Sequence, residues 1–147
     1  MAKIVVGIDG SDASKDALRW ALEEARLRGD DLVAVHAWQP PPPVPALALA
    51  PSPATDLVVL PELQESAEKL VTALVAEAVG DESGVQLEPV AIEGPAATVL
   101  IDAAGDAELL VVGSRGHGGF MSLMLGSVSH QVAQHAPCPV VIHRRRQ

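Results

Sequence analysis

Short, nearly continuous apolar runs alternate along this chain with longer amphipathic ones, and the two patterns predict two kinds of element. Lys3–Asp9 is of strand length and rich in β-branched residues, the pattern of a strand buried on both faces. Gly10-Ser11-Asp12 then turns the chain, and Ser11 or Asp12 can cap the helix that follows. Ala17, Leu18, Ala21, Leu22 and Ala25 recur at helical spacing up to about Arg28, and Gly29 is placed to stop the helix. Asp31–Trp38 reads as a second strand. Asp56–Val79 predicts a long helix with Leu63, Ala67, Leu70, Val71, Leu74, Val75 and Ala78 on its buried face. Val85–Ile92 reads as a third strand, and Pro89 within it argues for a sheet edge, because proline gives no ladder donor. Gly94-Pro95 opens a short helix, where proline suits the first turn. Glu108–Val112 is a fourth strand. A helix from about Ser127 to His135 follows, and Pro137-Cys138-Pro139 ends it before a fifth strand, Val140–His143.

Strands that alternate with helices predict an α/β fold with a parallel sheet, right-handed crossovers and helices on both faces. One stretch breaks the alternation. Seven of the seventeen residues of Gln39–Thr55 are proline, so the segment joins neither sheet nor helix interior and reads as a partly extended loop. The βα pattern resumes after it. It is therefore read as an insertion, at about 39–55, within one domain spanning residues 1–147.

Composition narrows the function classes. Apolar residues make up 48% of 147, with no Tyr, one Phe and two Trp, so the core must be aliphatic. A formal net charge of −9 argues against nonspecific nucleic-acid binding, which needs a Lys/Arg surface. The basic stretch Arg144-Arg145-Arg146 reads as a solvated terminus. One cysteine allows no internal disulfide and no four-thiolate metal site. The five histidines show no ligand spacing. Cys138 lies between two prolines without an activating partner and reads as an inert buried thiol. The chain passes from Met1-Ala2-Lys3 directly into a strand, without a signal-peptide pattern, and no apolar run approaches a membrane span. A cytoplasmic setting is the expectation.

The chemistry concentrates between Val112 and Gln131. Gly113, Gly116, Gly118 and Gly119 follow the fourth strand, and Gly126-Ser127 leads into the next helix. Glycine lets backbone take positive φ and approach a ligand closely. Successive amides form anion-binding nests, and a helix N-terminus favours phosphate. The spacing is Gly113, two residues, Gly116, nine residues, Gly126-Ser127. There is no phosphate-loop lysine motif, and Gly7-x-x-Gly10 is not a dinucleotide fingerprint.

That spacing, together with the opening Ile4-Val5-Val6-Gly7-Ile8-Asp9-Gly10-Ser11 and the closing His135–Ile142 stretch, resembles the nucleotide-binding branch of the universal stress protein family. The resemblance covers nearly the whole chain. It implies an open, doubly wound, Rossmann-like sheet of five parallel strands in the order 3-2-1-4-5, with ATP as the bound ligand, for which Mg²⁺ is a candidate companion ion. It also implies a homodimer through strand 140–143. Ligands of such sheets lie beyond the carboxyl ends of the strands, where the order reverses. Here the reversal falls between strands 1 and 4, beside Asp9 and Gly113.

The candidate nucleotide-binding set is Asp9, Ala37, Gly113, Arg115, Gly116, Gly126, Ser127, Val128 and Ser129. Asp9 either accepts from ribose hydroxyls, as the family's matching aspartate does, or simply holds the Gly10-Ser11 turn. The family pattern places the Ala37 backbone against the adenine edge; His36 and Trp38 beside it read as packing residues. The glycines, Ser127, Val128 and Ser129 are the phosphate cradle, or else a glycine loop and an ordinary capped helix. Arg115 and His117 lie inside the glycine loop, where either reaches phosphate or solvent. The main reading is a nucleotide-dependent regulatory or stress-response module with slow ATP hydrolysis at most and no catalytic residues. The alternatives are a nucleotide hydrolase or phosphotransferase using Asp9 with Mg²⁺, and a nucleotide-free dimeric interaction module.

Overall fold

A computed structural model of the chain describes residues 2–41, 53–81, 84–114 and 126–145, with backbone alone over 53–59. Most of the proline-rich insertion, together with Arg115, Gly116 and His117, lies outside the described residues. The elements run β1 (Lys3–Gly7), α1 (Asp12–Arg28), β2 (Asp31–Trp38), α2 (Pro53–Val79), β3 (Leu87–Glu93), α3 (Ala96–Ala103), β4 (Leu109–Gly113), α4 (Ser127–His135) and β5 (Val140–His143).

The five strands form one sheet in the order β3-β2-β1-β4-β5. Every pairing is parallel; Val5, for example, stands opposite Val33 on one side and Leu110 on the other. Alternate residues of the central strands serve opposite faces. Ile4, Val6, Leu109 and Val111 pack with α1 and α2, while Val5, Leu110 and Val112 pack with α3 and α4. That is the period of two expected of strands buried on both sides. The sheet is therefore an open, doubly wound, Rossmann-like one. Ile4, Leu18, Leu32 and Leu110 are fully buried. Each such side chain contributes about 1.5–3 kcal/mol, and the buried core is aliphatic, with Trp20 and Trp38 packed at its margin.

Local chemistry sets the ends of α1. The Ser11 hydroxyl accepts from the Ser14 amide at 3.2 Å, and Gly29 closes the helix at φ 74° while its amide donates to the Ala25 carbonyl at 2.9 Å. The left-handed conformation is why glycine stands there. The expected apolar face, Ala17, Leu18, Ala21, Leu22 and Ala25, is buried throughout.

Some expectations need correction. Helix α2 begins at Pro53 rather than Asp56, so residues 53–55 of the expected proline-rich loop are helical, where proline's fixed φ suits a first turn. Strand β3 runs from Leu87 to Glu93 rather than from Val85 to Ile92. Strand β1 stops at Gly7 rather than Asp9. Ile8 still donates to the Val35 carbonyl at 2.9 Å, but Asp9 turns away to bond Ser11. On α2 the buried stripe is Ala67, Val71, Val75 and Ala78, whereas Leu70 is 48% exposed. The helix packs on β2, β3 and α1. Because β3 is the sheet edge, α2 has a helix neighbour on one flank only, and Leu70 falls outside the narrow stripe that this leaves. Pro89 does lie in an edge strand, opposite Ala34.

Candidate functional site

Beyond the carboxyl ends of β1, β2 and β4 lies a cavity of about 250 Å³. It sits at the reversal of strand order between β1 and β4. Ile8 and Asp9 line it after β1, Val35 and Ala37 from β2, and Val112 and Gly113 from β4. Ala96 and Leu100 of α3 and Ser127, Val128 and Ser129 of α4 complete the wall, with Ser14 of α1. The site has two halves by chemistry. Val35, Ala37, Ala96, Leu100 and Val112 are an apolar surface, while Asp9 and the start of α4 are polar. Gly7 leaves room for this side, since a Cβ there would come within 2.8 Å of Leu100 Cδ1 and shift that side chain. Glycine thus lets α3 seat Leu100 against the end of β1.

Asp9 is exposed, and its Oδ1 accepts from the Ser11 amide at 2.9 Å and the Ser11 hydroxyl at 2.5 Å. The turn-holding role is therefore present. It does not exclude a ligand role, because a carboxylate has two oxygens and about four acceptor positions. Ser14 is buried, donates to the Ser11 carbonyl at 2.9 Å, and accepts from the Asp9 amide at 3.3 Å.

Backbone rather than a side chain ties down the opening of α4. Gly126 occupies the N-cap at φ −64°, ψ 159°, with no side-chain capping bond. Its amide donates to the Ser114 carbonyl at 2.8 Å. Ser129 is buried, and its hydroxyl lies 3.1 Å from the Ser114 carbonyl oxygen and 3.3 Å from that of Gly126. Ser114 therefore ties the end of β4 to the start of α4. Ser127, Val128 and Ser129 are the first residues of the helix, whose amides have no carbonyl partner one turn back and carry the positive end of the helix dipole.

Among the described residues the positive-φ glycines are Gly10, Gly29, Gly80, Gly84 and Gly94, and neither Gly113 nor Gly126 is one of them. Steric room is the constraint at Gly113 instead: a Cβ on it would lie 3.2 Å from the Ala13 backbone, tighter than an ordinary contact.

The structure thus brings Asp9, Ala37, Gly113, Ser127, Val128 and Ser129 to one cavity, with Gly126 at its edge. Arg115 and Gly116 lie outside the described residues. Ile8, Val35, Ala96, Leu100 and Val112 were missed because an apolar lining residue looks like any core residue. Ser14 did carry a signal: it continues the Ala17–Ala21–Ala25 stripe of α1 one turn back, a polar residue at a buried position.

The residues set aside behave simply. Trp38 donates to Gln64 Oε1 at 2.6 Å, and His36 Nδ1 lies 2.9 Å from the Ile8 carbonyl oxygen. Burial, and secondarily the charge of Glu108, pushes the Cys138 thiol pKa up. Arg145 is not simply solvated; its guanidinium lies 2.9 Å from Asp16 and 3.5 Å from Asp12. Among the described residues no cluster of His, Cys, Asp and Glu is placed to hold a metal ion, and no helix is long and apolar enough to cross a membrane.

The model of the universal stress protein family matches residues 1–144. The chain belongs to that family. A universal stress protein of Mycobacterium tuberculosis (strain ATCC 25618 / H37Rv) is 36% identical over 143 residues, which are 97% of this chain and 45% of the relative. The chain thus spans about half the length of the curated relatives it matches. The structure of a universal stress protein from Archaeoglobus fulgidus is 27% identical, with a TM-score of 0.62 over 97% of this chain and 93% of that one. A family member from Arabidopsis thaliana, solved with AMP bound, shares the fold at 22% identity and a TM-score of 0.63, over 99% of this chain and 93% of that one.

Proposed function

We propose that this universal stress protein binds an adenine nucleotide, ATP, in the cavity between β1 and β4, and that the nucleotide acts as a regulatory ligand in a stress response. The observation that carries the reading is the pairing of an apolar slot with a helix start that has no side-chain cap, in one cavity: Val35, Ala37 and Leu100 on one side, Ser127 and Val128 on the other. An aromatic base suits the first surface and an anion the second. In this reading the Ala37 backbone meets the base edge and Asp9 accepts from the ribose. The amides of Ser127, Val128 and Ser129 hold phosphate. Gly113, Arg115, Gly116 and Gly126 belong to the same cradle, with Arg115 supplying the cation that the described walls lack. Mg²⁺ accompanies the triphosphate, held by phosphate oxygens and water. Family members described with AMP, cAMP and dAMP support the choice of ligand class.

Hydrolysis is slow at most in this proposal. Fast phosphoryl transfer needs charge stabilisation at the terminal phosphate as well as positioning. The chain acts as one cytoplasmic domain and pairs as a homodimer through β5. The deciding experiment is to denature purified protein and identify the small molecule released, then titrate stripped protein calorimetrically with ATP, ADP, AMP and cAMP. An adenine nucleotide in the extract and saturable binding of ATP are expected. Absence of binding to all four would return the chain to a nucleotide-free interaction module.

A further inference from the structure

Ser11 holds a position that neither a helix cap nor a turn residue needs by itself. Its hydroxyl accepts from the Ser14 amide at 3.2 Å, which is the capping bond of α1. The same hydroxyl donates its one proton to Asp9 Oδ1 at 2.5 Å. The Ser11 amide donates to that oxygen as well, at 2.9 Å. The polarity of this relay is fixed, because an amide can only donate and a carboxylate can only accept. Two donors fill both lone pairs of Oδ1 and fix the rotation of the carboxylate. Ser14 closes the cluster from below: it is 5% exposed, its hydroxyl donates to the Ser11 carbonyl at 2.9 Å, and it accepts from the Asp9 amide at 3.3 Å. Backbone and side chain of Asp9 are both held by the first turn of α1.

We infer that Ser11 is a positioning residue for sugar recognition: its hydroxyl, anchored by the start of α1, presets the Asp9 carboxylate for the ribose hydroxyls of the nucleotide. The inference rests on the reading in which Asp9 accepts from ribose. An acceptor held in place before binding loses less freedom when the ligand arrives. Ordering one side chain is equivalent to a few-fold to roughly tenfold in affinity. A residue that only capped the helix would affect every nucleotide alike. A residue that positions Asp9 affects only those nucleotides that carry the hydroxyls.

The test compares ATP with 2′,3′-dideoxy-ATP by calorimetric titration of stripped protein. Three proteins are used: wild type, Ser11→Gly and Ser11→Thr. Glycine caps a helix almost as well as serine, so Ser11→Gly removes the hydroxyl while keeping the fold. Threonine keeps the hydroxyl. Wild type is expected to prefer ATP by about tenfold or more, the factor for a hydrogen bond to a charged group. In Ser11→Gly that preference should shrink a few-fold to roughly tenfold, with dideoxy-ATP affinity held within about twofold, and Ser11→Thr should restore it. Equal binding of the two nucleotides by wild type, or none, would remove the ribose reading and this inference with it. A wild-type preference that persists undiminished in Ser11→Gly would overturn the inference and leave the ribose reading standing. So would an equal loss of both affinities, which would mark a purely structural cap.

Discussion

A Cβ on Gly113 would stand 3.2 Å from both the carbonyl carbon and the carbonyl oxygen of Ala13. These are backbone atoms of the first turn of α1 and cannot swing aside as a side-chain tip can. The end of β4 and the start of α1 are thus in direct backbone contact, which helps set the width of the cavity between β1 and β4. Gly113→Ala should cost about 1–3 kcal/mol of stability, the range for overpacking a closed contact. Nucleotide affinity should fall with it. Denaturant unfolding monitored by circular dichroism would show the midpoint shift. An unchanged midpoint would mean that the first turn of α1 gives way freely.

Gly126 should behave in the opposite way. Its φ of −64° is open to any residue, so a side chain there is not strained. Gly126→Val should lose only about 1 kcal/mol of stability, from a poorer N-cap residue. It should nonetheless weaken ATP binding by about tenfold or more, by filling the approach to the α4 amides. Thermal unfolding and calorimetric titration of the same sample separate the two effects. Wild-type affinity in the folded variant would take Gly126 out of the phosphate cradle.

How much of this was legible beforehand depends on which physical cause is asked about. The limits of β2, α4 and β5 match the sequence reading because each is bounded by a strong local signal: Gly29 and Gln39-Pro40 around β2, Gly126 and Pro137 around α4, and Pro139 before β5. Pro89 announced the edge strand. The strand order came from the family resemblance rather than from local pattern, since no single strand reveals its neighbours. Asp9 and Ala37, which line the cavity, were proposed on the same resemblance. The lining residues Leu100 and Ala96 could not be seen, because they belong to α3, far along the chain, and meet the ends of β1 and β2 only in the folded sheet. Of the two reasons expected for glycine at 113, positive φ does not apply, and the close contact with the Ala13 backbone is one that the sequence did not reveal. Backbone freedom and steric room leave the same letter in a sequence.

Asp9 carries the sugar contact in the proposed reading, so Asp9→Ala should weaken binding by about 1.5–3 kcal/mol. ATP and AMP should suffer alike, because both contain the ribose. Some loss of stability is expected too, since the Ser11 amide and hydroxyl lose their acceptor. Titration with both nucleotides decides the role. A loss confined to ATP would indicate a part in holding Mg²⁺, and no loss for either would leave Asp9 as a turn residue alone.

Cys138 offers a test by pH. Burial is the larger cause of its raised pKa and the Glu108 carboxylate the smaller. The folded chain therefore holds the thiol proton more tightly than the unfolded chain does. The associated stability is fully present below the ordinary thiol value of 9.0 and is lost as pH rises through the higher folded value. Near pH 8 the thiolate fraction, and so the rate of alkylation by iodoacetamide, should be lower than for a free cysteine. Glu108→Gln should speed the reaction modestly. Alkylation of the native protein at the rate of the unfolded chain would show that the site is more open than this packing implies.

The proposed dimer would form through β5. Val140–His143 is the sheet edge opposite β3, and all its residues are partly buried. Val141 packs toward the α1–α2 layer and Ile142 toward the α3–α4 layer. The strand's inner side pairs with β4, with Leu110 opposite Val140 and Gly113 opposite His143. Its outer side presents an apolar edge, and the nearby prolines, Pro137 and Pro139, precede the strand rather than interrupt it. Such an edge invites pairing. A two-fold axis alongside it would join two copies antiparallel and close the interface, with the same residues contributed by both. Replacing Val141 and Ile142 together with Glu would set like charges across that axis and press charge against both layers. The expected product is a monomer of reduced stability. Circular dichroism reports whether it folds, and sedimentation at micromolar concentration reports its size. Wild type should sediment as a dimer under the same conditions. A clean species of 15.2 kDa, the mass of one chain, would show that β5 does not pair and that its edge is covered within the monomer.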